Sequence, residues 1–146
     1  MTSRPINALV LGYGFSAKIF HIPFITTTPG VRLHSVFQRP PLAQIGEETP
    51  VSAKEDYAGT DVVVFGSWHE VEQYQREAKK ERQIELLVIT AGNQVHGELV
   101  RKGLTLGANG VHVIVEKPFT PTSKECDELV QLAKKLGKIL TVYHSE

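Results

Sequence analysis

The strongest constraint on the fold of this chain is an alternation that runs along its whole length. Six short apolar runs stand at INALVLG (6–12), VRLHSVF (31–37), DVVVF (61–65), IELLVIT (84–90), VHVIVE (111–116) and ILTVYH (139–144). Between them lie stretches with helical spacing. The runs are nearly continuous in apolar residues, which suits strands covered on both faces, and strands that alternate with helices pair in parallel through right-handed crossovers. The expected fold class is α/β: a Rossmann-like, doubly wound, mostly parallel six-stranded sheet with helices on both faces, formed as a single domain over residues 1–146.

The helical stretches carry their own punctuation. AKIFHIPFITT (17–27) reads as a helix with Pro23 as a kink. SWHEVEQYQREAKKERQ (67–83) opens with a capping box, Ser67 with Glu70, and places Trp68, Val71, Tyr74 and Ala78 on one face. HGELVRKGLTLG (96–107) is helical and stops at glycine. TSKECDELVQLAKKLG (122–137) opens on a second box, Thr122 with Glu125. Its apolar face is Cys126, Leu129, Val130, Ala133 and Leu136, and Gly137 is its C-terminal stop. The Pro- and Gly-rich segment from Gln38 to Thr60 has room for a short helix at most.

Charge and cysteine usage narrow the setting. Lys+Arg and Asp+Glu both number 16, so the formal net charge is zero, and no positive excess points to nucleic acid or an acidic membrane. Cys126 is the single cysteine, which excludes an internal disulfide and fits a reducing compartment. No signal-peptide core and no apolar run of membrane-spanning length is present, so a cytoplasmic protein is expected. No histidine or cysteine spacing suggests a metal site, and His21, His34, His69 and His112 receive no role.

The loop GYGFSA, Gly12 to Ala17, fits the dinucleotide fingerprint with alanine in the third small position. Gly12 permits the tight turn out of the strand, Gly14 lets backbone approach a pyrophosphate, and Ala17 lets helix pack closely on strand. Phe15 and Ser16 complete the loop, whose N–H groups face the anion at a helix start. The alternative is a glycine turn that merely joins strand to helix. After the second strand, where an acid would bind both ribose hydroxyls of NAD, the chain has Gln38 and Arg39. Gln38 offers hydrogen bonds only, and Arg39 can pair with a 2′-phosphate, so NADP is preferred over NAD. Arg39 as an ordinary solvated arginine is the other reading.

Three stretches, GYGFSAKIFHIPF, ITAGNQVHGELV and VIVEKPFTPTSKECDEL, together resemble the glucose–fructose oxidoreductase/inositol dehydrogenase (Gfo/Idh/MocA) family, over essentially the whole chain. The resemblance implies a nicotinamide-dependent oxidoreductase with Gly12, Gly14 and Ala17 at the pyrophosphate. It implies that Thr90, Asn93 and His96 lie beside the cofactor after the fourth strand. Glu116, Lys117 and Pro118 match the family's EKP, whose lysine lies near nicotinamide and substrate, and Tyr143 and His144 fall at the nicotinamide end. The candidate catalytic residues are therefore Lys117, His96, His144 and Tyr143. Ala91-Gly92 replaces the family's usual Thr-Pro, and TLGANGVHV is slightly longer than the usual turn. The resemblance also implies a substrate domain after the sixth strand, which this sequence does not contain.

Four functions remain open on this reading: an NADP-dependent oxidoreductase acting on a small carbonyl or hydroxyl substrate; a non-redox isomerase, lyase or cyclase that reuses the crevice, then without the cofactor; a dinucleotide sensor; and the remnant of a longer enzyme. A homodimer is expected, with its interface near the sixth strand or the last helix.

Overall fold

The first strand, β1 (Ile6–Leu11), lies at the centre of a six-stranded sheet and fixes how the rest is wound. We describe a computed structural model of the chain, covering residues 4–13, 17–38, 53–90, 96–116 and 122–143. After β1 comes a π-helical turn, Ala17–His21, which runs directly into α1 (Ile22–Thr27). β2 (Val31–Phe37), α2 (Ala53–Asp56), β3 (Val63–Phe65) and α3 (Trp68–Glu77) complete the first half. The second half holds β4 (Leu86–Ile89), α4 (His96–Leu104), β5 (His112–Glu116), α5 (Ser123–Leu136) and β6 (Leu140–Tyr143).

The strand order is β3-β2-β1-β4-β5-β6, and every neighbouring pair is parallel. One face of the sheet packs Leu9, Leu11, Leu87, Ile89, Val113 and Val115 under α3, α4 and α5, through Val71, Val100, Leu104, Leu129 and Ala133. The other packs Ala8, Val10, Leu33, Val36 and Val88 under Ala17, Ile22 and Ile25, with Ala53 of α2. Both faces are dry where helices lie on them, which is why the strands read as unbroken apolar runs.

Several sequence expectations are corrected in detail. Pro23 sits in the first turn of α1, and the helical run changes geometry just before it, where the π-helical turn Ala17–His21 gives way to α1. The period-two pattern of β2 breaks at His34: Ala8 pairs with Leu33 but Leu9 pairs with Ser35, so His34 is the extra residue of an irregular register. Glu70 caps as foreseen but from one residue further out: its backbone N–H donates to Ser67 Oγ at 3.3 Å, while its carboxylate accepts from the Gly66 N–H at 2.6 Å. In α5, Leu129 and Ala133 are buried, whereas Val130 and Leu136 are exposed. Leu132 packs against the core in their place. Gly137 ends α5 in the left-handed region, as expected (φ 68°).

α4 lies especially close to the sheet. A Cβ on its Gly103 would stand 2.7 Å from Leu87 Cδ2 and 2.9 Å from Val113 Cγ2, so only glycine allows this approach. Among the described residues, no helix is long and apolar enough to cross a membrane.

Candidate functional site

The winding of the sheet makes the crevice. From β1 the chain moves to β2 and β3 on one side, then returns to build β4, β5 and β6 on the other. The connections leaving β1 and β4 diverge at their carboxyl ends, which is where open α/β sheets hold ligands. Gly12 turns the chain out of β1 at φ 105°, a conformation strained for any residue with a side chain, and its N–H donates to the Phe37 carbonyl at 3.0 Å. Thr90 ties the two strand exits together: its N–H and its Oγ1 both donate to the Leu11 carbonyl, at 2.9 and 3.0 Å. Ala17 is fully buried at the start of the following helical turn, so the small residue the fingerprint asks for is enclosed on all sides. Gly14, Phe15 and Ser16 lie outside the described residues.

On the β2 side, the Gln38 N–H donates to the Phe65 carbonyl at 3.0 Å, and its Oε1 accepts from the N–H of Ala53 at 2.7 Å. Gln38 thus anchors the start of α2. Tyr13, the residue between the two glycines, donates its hydroxyl to Asp56 at the end of α2. Its ring meets that of Tyr57 edge-on, with centroids 6.0 Å apart. The Lys18 ammonium stands 5.1 Å from the Tyr13 ring centroid. Burial, then the bond to Asp56, pushes the Tyr13 phenol well above its ordinary value, so it stays a neutral hydroxyl that can donate to Asp56. Sequence reasoning missed this cluster, because Asp56 and Tyr57 lie more than forty positions away in an unremarkable polar stretch. Arg39 lies outside the described residues.

On the β5 side, Glu116 is the last residue of its strand. His21 Nε2, at the end of the π-helical turn, stands 3.8 Å from Glu116 Oε2. Burial lowers the pKa of His21, and the Glu116 charge partly opposes that shift. The register of β5 on β6 pairs Glu116 with Tyr143, so the two strand ends finish level. His96 opens α4. The side chains of His96 and Tyr143, and the whole of Asn93, Lys117, Pro118 and His144, lie outside the described residues.

Of the histidines given no role, His34 and His112 are held by hydrogen bonds, while His69 is exposed on α3. His34 Nδ1 lies 2.8 Å from Ser35 Oγ and its Nε2 lies 2.8 Å from the Tyr74 hydroxyl. His112 Nδ1 accepts from the Ile139 N–H at 3.0 Å. Among the described residues, no group of three His, Cys, Asp or Glu side chains gathers as a metal site requires.

Comparison with known proteins agrees with this geometry. The family model for the GFO_IDH_MocA oxidoreductase family, NAD-binding Rossmann fold, matches residues 6–144. The chain is 33% identical over 143 residues to the uncharacterized oxidoreductase YdgJ of Escherichia coli, covering 98% of this chain and 35% of that protein. It is 29% identical over 140 residues to the scyllo-inositol 2-dehydrogenase (NADP(+)) IolW of Bacillus subtilis, covering 96% and 33%. A crystal structure of an oxidoreductase candidate from Klebsiella pneumoniae superposes with a TM-score of 0.74 at 32% identity, over 97% of this chain and 35% of that one. The chain therefore spans about a third of the length of the relatives it matches.

Proposed function

Because the chain belongs to the Gfo/Idh/MocA oxidoreductase family, as its NAD-binding Rossmann fold, we propose that it binds NADP(H) at the carboxyl ends of β1, β2 and β4. The nicotinamide would then face a small carbonyl or hydroxyl substrate. The observation that carries this reading is the turn at Gly12: a left-handed glycine at the exit of β1, beside the point where the strand order reverses. The described residues fit the cofactor. Gly12 keeps bulk out of the turn, Ala17 keeps the helix tight against the strand, and Thr90 fixes the far wall.

Bound there, the nicotinamide supplies or accepts hydride. The chain's own residues do the rest. The loop N–H groups of Gly14, Phe15 and Ser16 would donate to the pyrophosphate. Arg39 would pair with the 2′-phosphate, with Gln38 beside it holding α2 in place. The NADP(+) in the name of the relative IolW supports the same preference. Asn93 and His96 would line the cofactor after β4. Lys117, following Glu116, would polarise the substrate oxygen or hold its proton, with Tyr143 and His144 at the same end. A reducing, cytoplasmic setting goes with the single Cys126.

Calorimetric titration with NADPH and NADH tests this reading. The expected result is binding of both, tighter for NADPH, with Arg39→Ala reducing the preference by about tenfold, the scale of one lost ion pair to phosphate. No measurable affinity for either dinucleotide would refute the proposal.

We further propose a homodimer through the β6 edge and the outer side of α5. Support comes from apolar residues left in solvent there: Ile139 is 64% exposed, and Val130 and Leu136 lie on the outer side of α5.

A further inference from the structure

The side-chain cluster beside the glycine turn is built on Tyr13, which directly follows Gly12. Its hydroxyl donates to the Asp56 carboxylate, and its ring meets that of Tyr57 edge-on. The Lys18 ammonium lies over the same ring, 5.1 Å from its centroid. Lys18 follows Ala17, the last small position of the fingerprint. Among the described residues no carboxylate forms an ion pair with this ammonium. Asp56, the acid of the cluster, accepts from Tyr13 instead. The charge of Lys18 is therefore open to a ligand.

The cluster stands on the β2 side of the crevice. α2 bridges the exits of β1 and β2: its Ala53 N–H donates to Gln38 Oε1, just after β2, and Asp56 at its other end accepts from Tyr13, just after β1. Ala53 belongs to one apolar cluster with Val10 of β1 and Leu33 and Val36 of β2. β4, with Thr90 at its exit, stands on the opposite side of β1. In a dinucleotide crevice the carboxyl end of β2 receives the adenosine ribose, whose 2′-phosphate separates NADP from NAD. The formal net charge of the chain is zero, so a cation for that phosphate must be supplied locally.

We propose that Lys18 is a specificity-determining residue: stacked on Tyr13, it presents a second cation, in addition to Arg39, to the 2′-phosphate of NADP(H). This rests on the dinucleotide reading above. The stacking has a physical use. A lysine gives up rotamer freedom when it holds a phosphate, and a ring that already confines the ammonium reduces that loss on binding. The ring is itself fixed by Asp56 and Tyr57.

Calorimetric titration with NADPH and with NADH, which differ only in that phosphate, tests the assignment. Lys18→Met keeps an unbranched stem and removes the charge. It is expected to weaken NADPH about tenfold, the scale of one lost charge-assisted contact, and to leave NADH within about twofold. Lys18→Arg, which keeps a cation able to stack on Tyr13, should restore most of the NADPH affinity. If Lys18→Met does not fold, Lys18→Gln reads the same difference. Equal losses for both dinucleotides would place Lys18 at the pyrophosphate, which they share, and overturn the inference, as would NADPH affinity that does not change. A wild-type chain that binds neither dinucleotide, or binds NADH at least as tightly as NADPH, would instead overturn the reading beneath it, before any variant is compared.

Discussion

At the scale of single residues, the polar groups inside the molecule do more work than their sequence neighbourhoods suggest. Gln75 is 6% exposed on α3, where the helical pattern gives no hint of burial. Its Nε2 donates to the Ile84 carbonyl and its Oε1 accepts from the Ile84 N–H, both at 2.8 Å. The side chain thus completes the backbone pairing just ahead of β4. Gln75→Leu keeps the volume but strands two buried backbone groups, and we expect a loss of about 3 kcal/mol by urea denaturation. A loss below about 1 kcal/mol would mean that water reaches Ile84. Gly12 and Ala17 were legible because a fingerprint spaces them in one loop. Gln75, His34 and His21 were not, because each is explained by a partner far off in sequence. The buried imidazoles also predict a pH dependence. His21, His34 and His112 all have pKa values lowered from 6.5 by burial, so between the lowered and ordinary values the unfolded chain binds protons that the folded chain does not. Their contribution is complete above the ordinary value and is lost progressively as pH falls from it through the lowered folded values. The urea midpoint should be lower at about pH 5.5 than at about pH 7.5, and an equal or higher midpoint at the acid value would contradict this assignment.

At the scale of elements, the starts and stops were the readable part. Thr122 accepts from the Glu125 N–H at 3.1 Å and Gly137 closes α5 as a left-handed cap, both as sequence spacing indicates. Thr122→Ala should cost about 1 kcal/mol of stability without altering ligand binding. The faces were less readable. Helical spacing puts Val130 and Leu136 with Leu129, but α5 lies toward the edge strand β6, and of its described residues Leu129, Leu132 and Ala133 pack in the core. The closeness of α4 to the sheet was not readable at all. Gly103 looks like a weak point in a helix, yet Leu87 and Val113 occupy the space a side chain would need. Gly103→Val is therefore expected to lower stability by about 2 kcal/mol or more through overpacking, despite the better helix propensity of valine. Unchanged or raised thermal stability would show that α4 can lift away from β4 and β5.

At the scale of the molecule, the six strands and their parallel pairing were legible, and the strand order and the edges were not. β6 is the last strand of the sheet, only four residues long, and beside it stand Ile139 at 64%, Leu136 at 39% and Val130 at 37% exposure. A two-fold axis perpendicular to the sheet at this edge would bring β6 of one copy antiparallel to β6 of the other, the same patch facing itself as an isologous contact requires. Four residues pair too few backbone groups to hold two copies alone, so the apolar side chains must supply the rest. The proposed homodimer therefore predicts that Ile139→Lys and Leu136→Glu together shift the protein to monomer in sedimentation at micromolar concentration. Both positions are exposed in the single chain, so the monomeric variant should stay folded, with a circular dichroism spectrum like that of the wild type. Sedimentation of the wild type as monomer alone, or a double variant that remains dimeric, would remove the β6 edge as the interface.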